Sequence, residues 1–410
     1  MSPDLDITEY LQAGDTVVIG QAAAEPAVLV GKFIEAAHAI DGLTALCGYT
    51  LSDAWERASP GRPRIKTYVA HGALRKLAAR GLLEVVPWPY SRIEEYLASQ
   101  SVRVDAVLLR VGPPDADGYY NLGATVDYAA VAAEHARVVL VEVNANMPRT
   151  YSSRRLHRSR VTASISSSGR LAGSPARPPT EAERNVAANV APFIPSGATI
   201  QLGVSALAAA VAAELRGRRG LRVRSGLVGD WLVDLGEAGA LAGDPGSCVT
   251  GMALGSERLY AFVHDSAIVR FAPLDEQVAS AVLAACQPFV SVNSAVEVDL
   301  LGQVNSEVAG GRYVGGVGGQ PDFFRAARRA PAGLAIVALA ATNAAATTSR
   351  IVPVVQGPVT TPQGDVDLVV TEFGVADLRG TSYRERAERL IEVAAPAHRA
   401  ALRSRRPDWL

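Results

Sequence analysis

Apolar and polar positions recur along the chain in two alternating patterns. Short β-branched or continuously apolar runs at 16–19, 43–47, 83–87, 104–111 and 137–143 predict strands. Between them, apolar residues spaced three and four apart predict helices at 25–40, 71–80, 91–100 and 126–136. Continuous apolar strands separated by helices indicate a mainly parallel sheet covered on both faces. The pattern stops at 164–179, SISSSGRLAGSPARPP, which reads as a linker between domains. Thr180 and Glu183 then have the spacing of a capping box at a helix start. A second alternation follows, with strands at 200–202, 221–224, 334–339, 351–355 and 367–371 and helices at 206–215, 231–241, 257–263, 323–328 and 384–393. The expectation is an α/β protein of two domains, 1–175 and 176–410, facing a cleft near the carboxyl ends of the strands.

One stretch of the second domain carries an unusual polar face. A strand over 290–300 would bury Val290, Val292, Val296, Val298 and Leu300 on one side and show Asn293, Glu297 and Asp299 on the other. Such a face meets either water or a site. Glu297 is then either a carboxylate nucleophile toward activated acyl groups or a solvent-facing strand residue paired with an arginine, and periodicity alone favours the second. Downstream, 315–319 places four glycines in five positions ahead of a helix expected at Pro321-Asp322. Glycines there let a ligand approach the backbone, and amides at a helix start bind phosphate or an oxyanion. No short apolar strand leads into this loop, so it is not the dinucleotide fingerprint.

Two further segments, 112–118 and 144–150, leave the ends of predicted strands, where α/β sites form. Arg149, Arg154, Arg155, Arg158 and Arg160 either dock an acidic ligand or form a solvated basic loop. Glu372, Asp377 and Arg379 are expected to make a structural ion pair.

Composition narrows the function classes. A length of 410 residues suits two or three domains, and 49% apolar with 20% charged residues suits a globular chain. A net charge of −1 gives no electrostatic case for nucleic acid or an anionic membrane. Three scattered cysteines argue against a disulfide framework and a cysteine zinc site, and fit a reducing cytoplasm. The polar, acidic first residues do not resemble a secretory signal, and the apolar run 332–341 is too short to span a bilayer. Abundant Ala, Arg and Gly suggest a GC-rich bacterial source. No histidine triad or metal-ligand spacing emerges, so no metal is expected.

Seven motifs in order give a specific resemblance. GPPDADGYYNLG, VEVNANMPRT, GATIQLGV, NSAVEVDLLGQVNSE, YVGGVGGQPDF, TTSRIVP and VVTEFGVADLRG together resemble the acetyl-CoA hydrolase/transferase family over nearly the whole chain. Within it they are most similar to the class I CoA-transferases that act on 4-hydroxybutyrate. The resemblance implies two CoA-transferase-like (NagB/RpiA-like) α/β domains, the second carrying the nucleophile, and a homodimer or higher homo-oligomer. It implies acyl-CoA and a small carboxylic acid as substrates, with coenzyme A as substrate rather than cofactor. Glu297 matches the family's N-S-A-x-E-V-D glutamate, which forms a covalent glutamyl-CoA thioester in a ping-pong reaction. Gly316, Gly318, Gly319 and Gln320 would hold CoA or the oxyanion, with Gly374 in a second loop. Gly203, Trp231, Asn146 and Met147 would lie at the substrate pocket.

The chain departs from the family in places. Where relatives show H-T/S-E-x-x-x-D-G, it has Arg224, Ser225, Gly226 and, at the final position, Trp231; where they show G-I-G-G-I-P, it has 203–208, GVSALA. Two alternatives to a transferase stay open: a thioester hydrolase on the same fold, and a non-catalytic acyl-CoA-binding homologue.

Overall fold

A computed structural model describes residues 5–279, 281–282, 285–286 and 288–406. Seven short strands in its first 170 residues form one sheet in which every neighbouring pair is parallel. The order is Ala163–Ser167, Val138–Asn144, Ala106–Val111, Thr16–Ile19, Thr44–Cys47, Arg64–Thr67, Leu83–Val85. All residues of Ala106–Val111 and Val138–Asn144 are buried, as strands covered on both faces must be. The helix Ala27–Ala39 covers one face with Leu29, Val30, Phe33 and Ile34, which join Val17, Ile19, Leu108 and Leu140 in one core. Strand order reverses at Thr16–Ile19, which lies between Thr44–Cys47 and Ala106–Val111. The carboxyl end of that strand is therefore a topological switch point, where α/β sheets build sites.

The chain divides into two compact units, and the first boundary falls between Ser174 and Pro175. Two stretches of the predicted C-terminal domain, Val249–Asp275 and Arg312–Gly318, belong with the first unit. They form units by contact rather than by sequence order, which a linear linker signal does not reveal. The predicted linker is itself partly structured: its first residues fall in the strand Ala163–Ser167, which extends the first sheet. The capping box forms as expected, with the Thr180 hydroxyl accepting from the Glu183 N–H and Glu183 accepting from the Thr180 N–H.

The second unit repeats the plan. Leu368–Thr371, Leu334–Ala338, Phe289–Asn293, Thr199–Leu202 and Arg222–Val228 lie side by side in parallel, and Gly374–Asp377 pairs antiparallel at the edge. The stretch expected to be one strand over 290–300 is two. Phe289–Asn293 is in this sheet, while Glu297–Asp299 opens a separate three-stranded sheet between Val304–Asn305 and Ile351–Val352. After the break at 294–296, Val298 and Leu300 join Val304, Phe324, Ile351 and Leu390 in a core that also takes in Val337 and Val369 of the main sheet. All three cysteines are buried and free. Among the described residues no helix is long and apolar enough to cross a membrane.

Candidate active site

Glu297 is the first residue of its strand and is half-buried, while the two residues after it are buried. Its Oε1 accepts from the Asn305 side-chain amide at 3.0 Å and from the Gln356 backbone N–H at 2.5 Å. No hydrogen bond reaches its Oε2 among the described residues. Asn305 faces Glu297 across the antiparallel pair and is fully buried. Its Oδ1 accepts from Glu307 N and Val308 N at 3.0 Å, and its Nδ2 also donates to Val308 O at 2.8 Å. With every donor and acceptor satisfied, the amide has one orientation, and the N–H toward Glu297 is fixed. Gly357 closes the arrangement, because a Cβ there would lie 2.6 Å from Asn305 Nδ2.

The other carboxylates nearby serve the fold. Asp299 is fully buried, accepts from Leu301 N and Gln303 N and from the Gln303 side chain, and so shapes the turn after the strand. Burial raises its carboxyl above the usual range against those hydrogen bonds. Glu307 is buried beside Asn305 and accepts from the Thr360 hydroxyl at 2.9 Å; burial raises it also. Asp299 and Glu297 share one parity, but Asp299 is bonded to its own turn while Glu297 is bonded to Asn305 and Gln356.

The glycine loop has two anchors in the first unit. A Cβ on Gly316 would lie 2.0 Å from Tyr68 O, so only glycine fits. Ala70 N donates to Gly315 O at 2.8 Å, and Tyr90 N donates to Gly318 O at 2.9 Å. Gly318 takes a left-handed φ of 57°. The chain then passes to the second unit, where Gly319 caps the helix Gln320–Arg329. Gln320 is buried; its Oε1 accepts from Ser306 Oγ at 2.9 Å, and its Nε2 has no partner among the described residues. Gly374 begins the edge strand with φ 134°, a conformation side chains rarely adopt.

Known proteins resemble this chain over most of its length. A model of the acetyl-CoA hydrolase/transferase N-terminal domain matches residues 2–156, and one of the C-terminal domain matches 255–406. The chain belongs to the acetyl-CoA hydrolase/transferase family. It is 33% identical over 401 residues to the 4-hydroxybutyrate coenzyme A transferase of Clostridium kluyveri, covering 94% of this chain and 92% of that protein. It is 30% identical over 406 residues to the succinyl-CoA:cyclohexane-1-carboxylate CoA transferase of Geobacter metallireducens, covering 97% and 93%. Among solved structures, RipA from Yersinia pestis matches with a TM-score of 0.90 at 30% identity, covering 99% of this chain and 96% of that one.

The family's remaining candidate positions fall in several environments. Gly203 follows the strand Thr199–Leu202, and its carbonyl accepts from Trp231 Nε1 at 2.8 Å. Trp231 is buried, so its indole fills volume within the second unit. Gly226 lies in the strand Arg222–Val228, where a Cβ would touch the Phe323 ring at 3.4 Å. Met147 is buried against Gly123 with Ala23, Ala24, Ala124 and Tyr260. Asn146 is exposed and donates to Ser168 O. The basic segment is largely paired within its own unit: Arg149 with Asp265, Arg154 with Glu134, and Arg155 with Asp115. Arg160 donates to the last carbonyls of the helix Tyr128–His135. Asp377 pairs with Arg379, whereas Glu372 accepts from Ala341 N instead of joining them.

Asn305, Gln356 and Gly357 escape a reading by residue type. A signal existed for Asn305, which falls in the QVNSE end of the family motif. Gln356 contributes only its backbone N–H and has none.

Proposed function

We propose that this protein moves CoA between an acyl-CoA and a small carboxylic acid, with Glu297 as the acyl acceptor. The observation that carries the reading is the Glu297 carboxylate, one oxygen fixed by Asn305 and Gln356 and the other without a hydrogen bond among the described residues. A carboxylate held this way presents a defined lone pair to a thioester carbonyl. Attack by Oε2 gives a tetrahedral intermediate, whose collapse expels CoA thiolate and leaves an acyl-glutamyl anhydride. The thiolate then attacks the glutamyl carbonyl, releasing the donor's carboxylate and forming the glutamyl-CoA thioester. The acceptor carboxylate attacks that thioester, and the same steps in reverse deliver a new acyl-CoA and free Glu297. Each tetrahedral intermediate needs N–H donors where its charge develops. The unpartnered Gln320 Nε2 and the amides at the start of its helix are the donors proposed in the same unit, and Gly316 and Gly318 are proposed to hold CoA.

Peptide mass spectrometry after incubation with acyl-CoA tests this reading. It expects a CoA adduct, or a hydroxylamine-trapped hydroxamate, on Glu297, and loss of turnover in Glu297→Ala with the fold retained. Turnover that requires acetate, propionate or succinate marks a transferase, and turnover without an acceptor marks a hydrolase. One observation favours a second reading: Gly226 stands where the family motif carries a glutamate. If no adduct forms on Glu297 from a broad acyl-CoA panel while acyl-CoA still binds, the chain is a non-catalytic acyl-CoA-binding homologue. Gain of turnover in Gly226→Glu would then identify the missing glutamate as the cause of lost activity.

A further inference from the structure

Gln21 sits just past the carboxyl end of Thr16–Ile19, at the point where the first sheet reverses its strand order. It has no exposed surface. Its Oε1 accepts from the Tyr68 hydroxyl at 2.6 Å and from Tyr49 N at 2.9 Å. Its Nε2 donates to the Tyr90 hydroxyl at 2.8 Å and to Asp127 Oδ2 at 2.5 Å. The amide is satisfied on all four sides, so its orientation is unambiguous. Asp127 is fixed in turn, since its Oδ1 caps the helix Tyr128–His135 by accepting from Ala129 N. Gly48 leaves the space this requires, because a Cβ there would lie 2.0 Å from Gln21 Oε1.

The two tyrosines gathered by this amide both border the glycine loop, beside its other anchor at Ala70. The Tyr68 carbonyl occupies the space beside Gly316, and the Tyr90 N–H holds Gly318 O. Their rings also meet edge to face, with centroids 5.4 Å apart. A fully buried amide that joins both side chains therefore ties together two of the residues against which the loop packs.

We infer that Gln21 is a positioning residue: by joining the Tyr68 and Tyr90 hydroxyls to Asp127 it sets where the loop 315–318 lies on the first unit. The loop's part in CoA binding rests on the function proposed above, whereas its dependence on Gln21 does not. Hydrogen exchange on the ligand-free, full-length protein tests the inference through the amides of Ala70 and Tyr90, which donate to the loop. Tyr68→Phe removes one hydroxyl and keeps the ring, so it preserves the core where Gln21→Leu could unfold it. Both variants are expected to speed exchange at Ala70 and Tyr90 on the order of tenfold, with the helix Tyr383–Glu392 unchanged as an internal control. Gln21→Glu is expected to do the same by facing Asp127 with a second carboxylate. Adding Asp127→Asn, which exchanges acid and amide across the contact, is expected to restore protection. The KM for acetyl-CoA should rise more than kcat falls. Unchanged exchange at Ala70 and Tyr90 in folded Tyr68→Phe and Gln21→Leu overturns the inference. Faster exchange with unchanged CoA affinity keeps Gln21 in its role and removes the loop from CoA binding.

Discussion

Gly316→Ala isolates the close approach of the glycine loop to its support. The added methyl would lie 2.0 Å from Tyr68 O and 2.8 Å from Val69 Cα, both backbone atoms that no rotamer change can move. Reaching a tolerable contact requires the loop to withdraw by about 1 Å. That withdrawal breaks or weakens the Ala70 N–Gly315 O and Tyr90 N–Gly318 O bonds, now 2.8 and 2.9 Å. At about 1 kcal/mol net for each bond, stability should fall by about 2 kcal/mol. A melting point lower by about 4–8 °C should follow for units of this size. The larger effect should be on turnover, because misplacing a binding group by about 1 Å costs on the order of a hundredfold. The assay is kcat/KM for acyl exchange between acetyl-CoA and a carboxylate, beside a melting curve. Gly310→Ala is the control: Gly310, unlike Gly316, has a positive φ (54°), but the space around the added carbon is open, so the change should cost stability and leave kcat/KM intact. Wild-type kcat/KM and melting point in Gly316→Ala would refute the reasoning, as would an equal loss of turnover in Gly310→Ala.

Three other substitutions probe separate features. Asn305→Asp keeps the acceptor for Glu307 N and Val308 N but replaces the donor 3.0 Å from Glu297 Oε1 by a carboxylate oxygen. The two acids then share a proton, so kcat/KM at pH 7 should drop by at least about tenfold and recover toward alkaline pH in a pH–rate profile. Trp231→Gly restores the family's residue but empties a buried indole site and frees Gly203 O; chemical denaturation should show a loss of about 3–5 kcal/mol. Burial pushes the Glu94 carboxyl up to about 8, with Asp275 and Asp127 adding to the shift. The folded state thus holds a proton that the unfolded chain releases near its ordinary 4.5, so the protein should lose stability as pH rises from about 4.5 to about 8. Glu94→Gln should flatten that decline in melting point, and an unchanged slope would show that Glu94 is not its source.

Much of the fold was legible because its signals are local. Strand and helix periods in the first 143 residues correspond to elements of the first sheet and its cover, and the Thr180–Glu183 capping box formed as spaced. Of the missed strands, Arg64–Thr67 (RIKT) and Val269–Phe271 (VRF) are short and carry basic residues, and Cys248–Ala253 (CVTGMA) has a threonine and a glycine in its middle, so none stands out as a continuous apolar run. The single strand predicted over 290–300 failed at 294–296 because parity continued across a break. Period two states which side chains share a face only while the chain stays in one sheet. Of the candidate residues, Trp231 and Met147 are apolar bodies buried within their units, and residue type does not separate a pocket wall from a core.

The sequence by itself determined the α/β class and, through ordered motifs, membership in the acetyl-CoA hydrolase/transferase family. Through the same motifs it singled out Glu297 and the glycine loop as candidates for chemistry. Tertiary structure decided what surrounds them. Asn305 and Gln356 converge on one oxygen of Glu297 from 8 and 59 residues away. Gln21 reaches Tyr90 and Asp127 across 69 and 106 residues. Propensity and periodicity act over a few residues, whereas a buried amide is satisfied only by whichever strands and helices the packed sheet brings beside it.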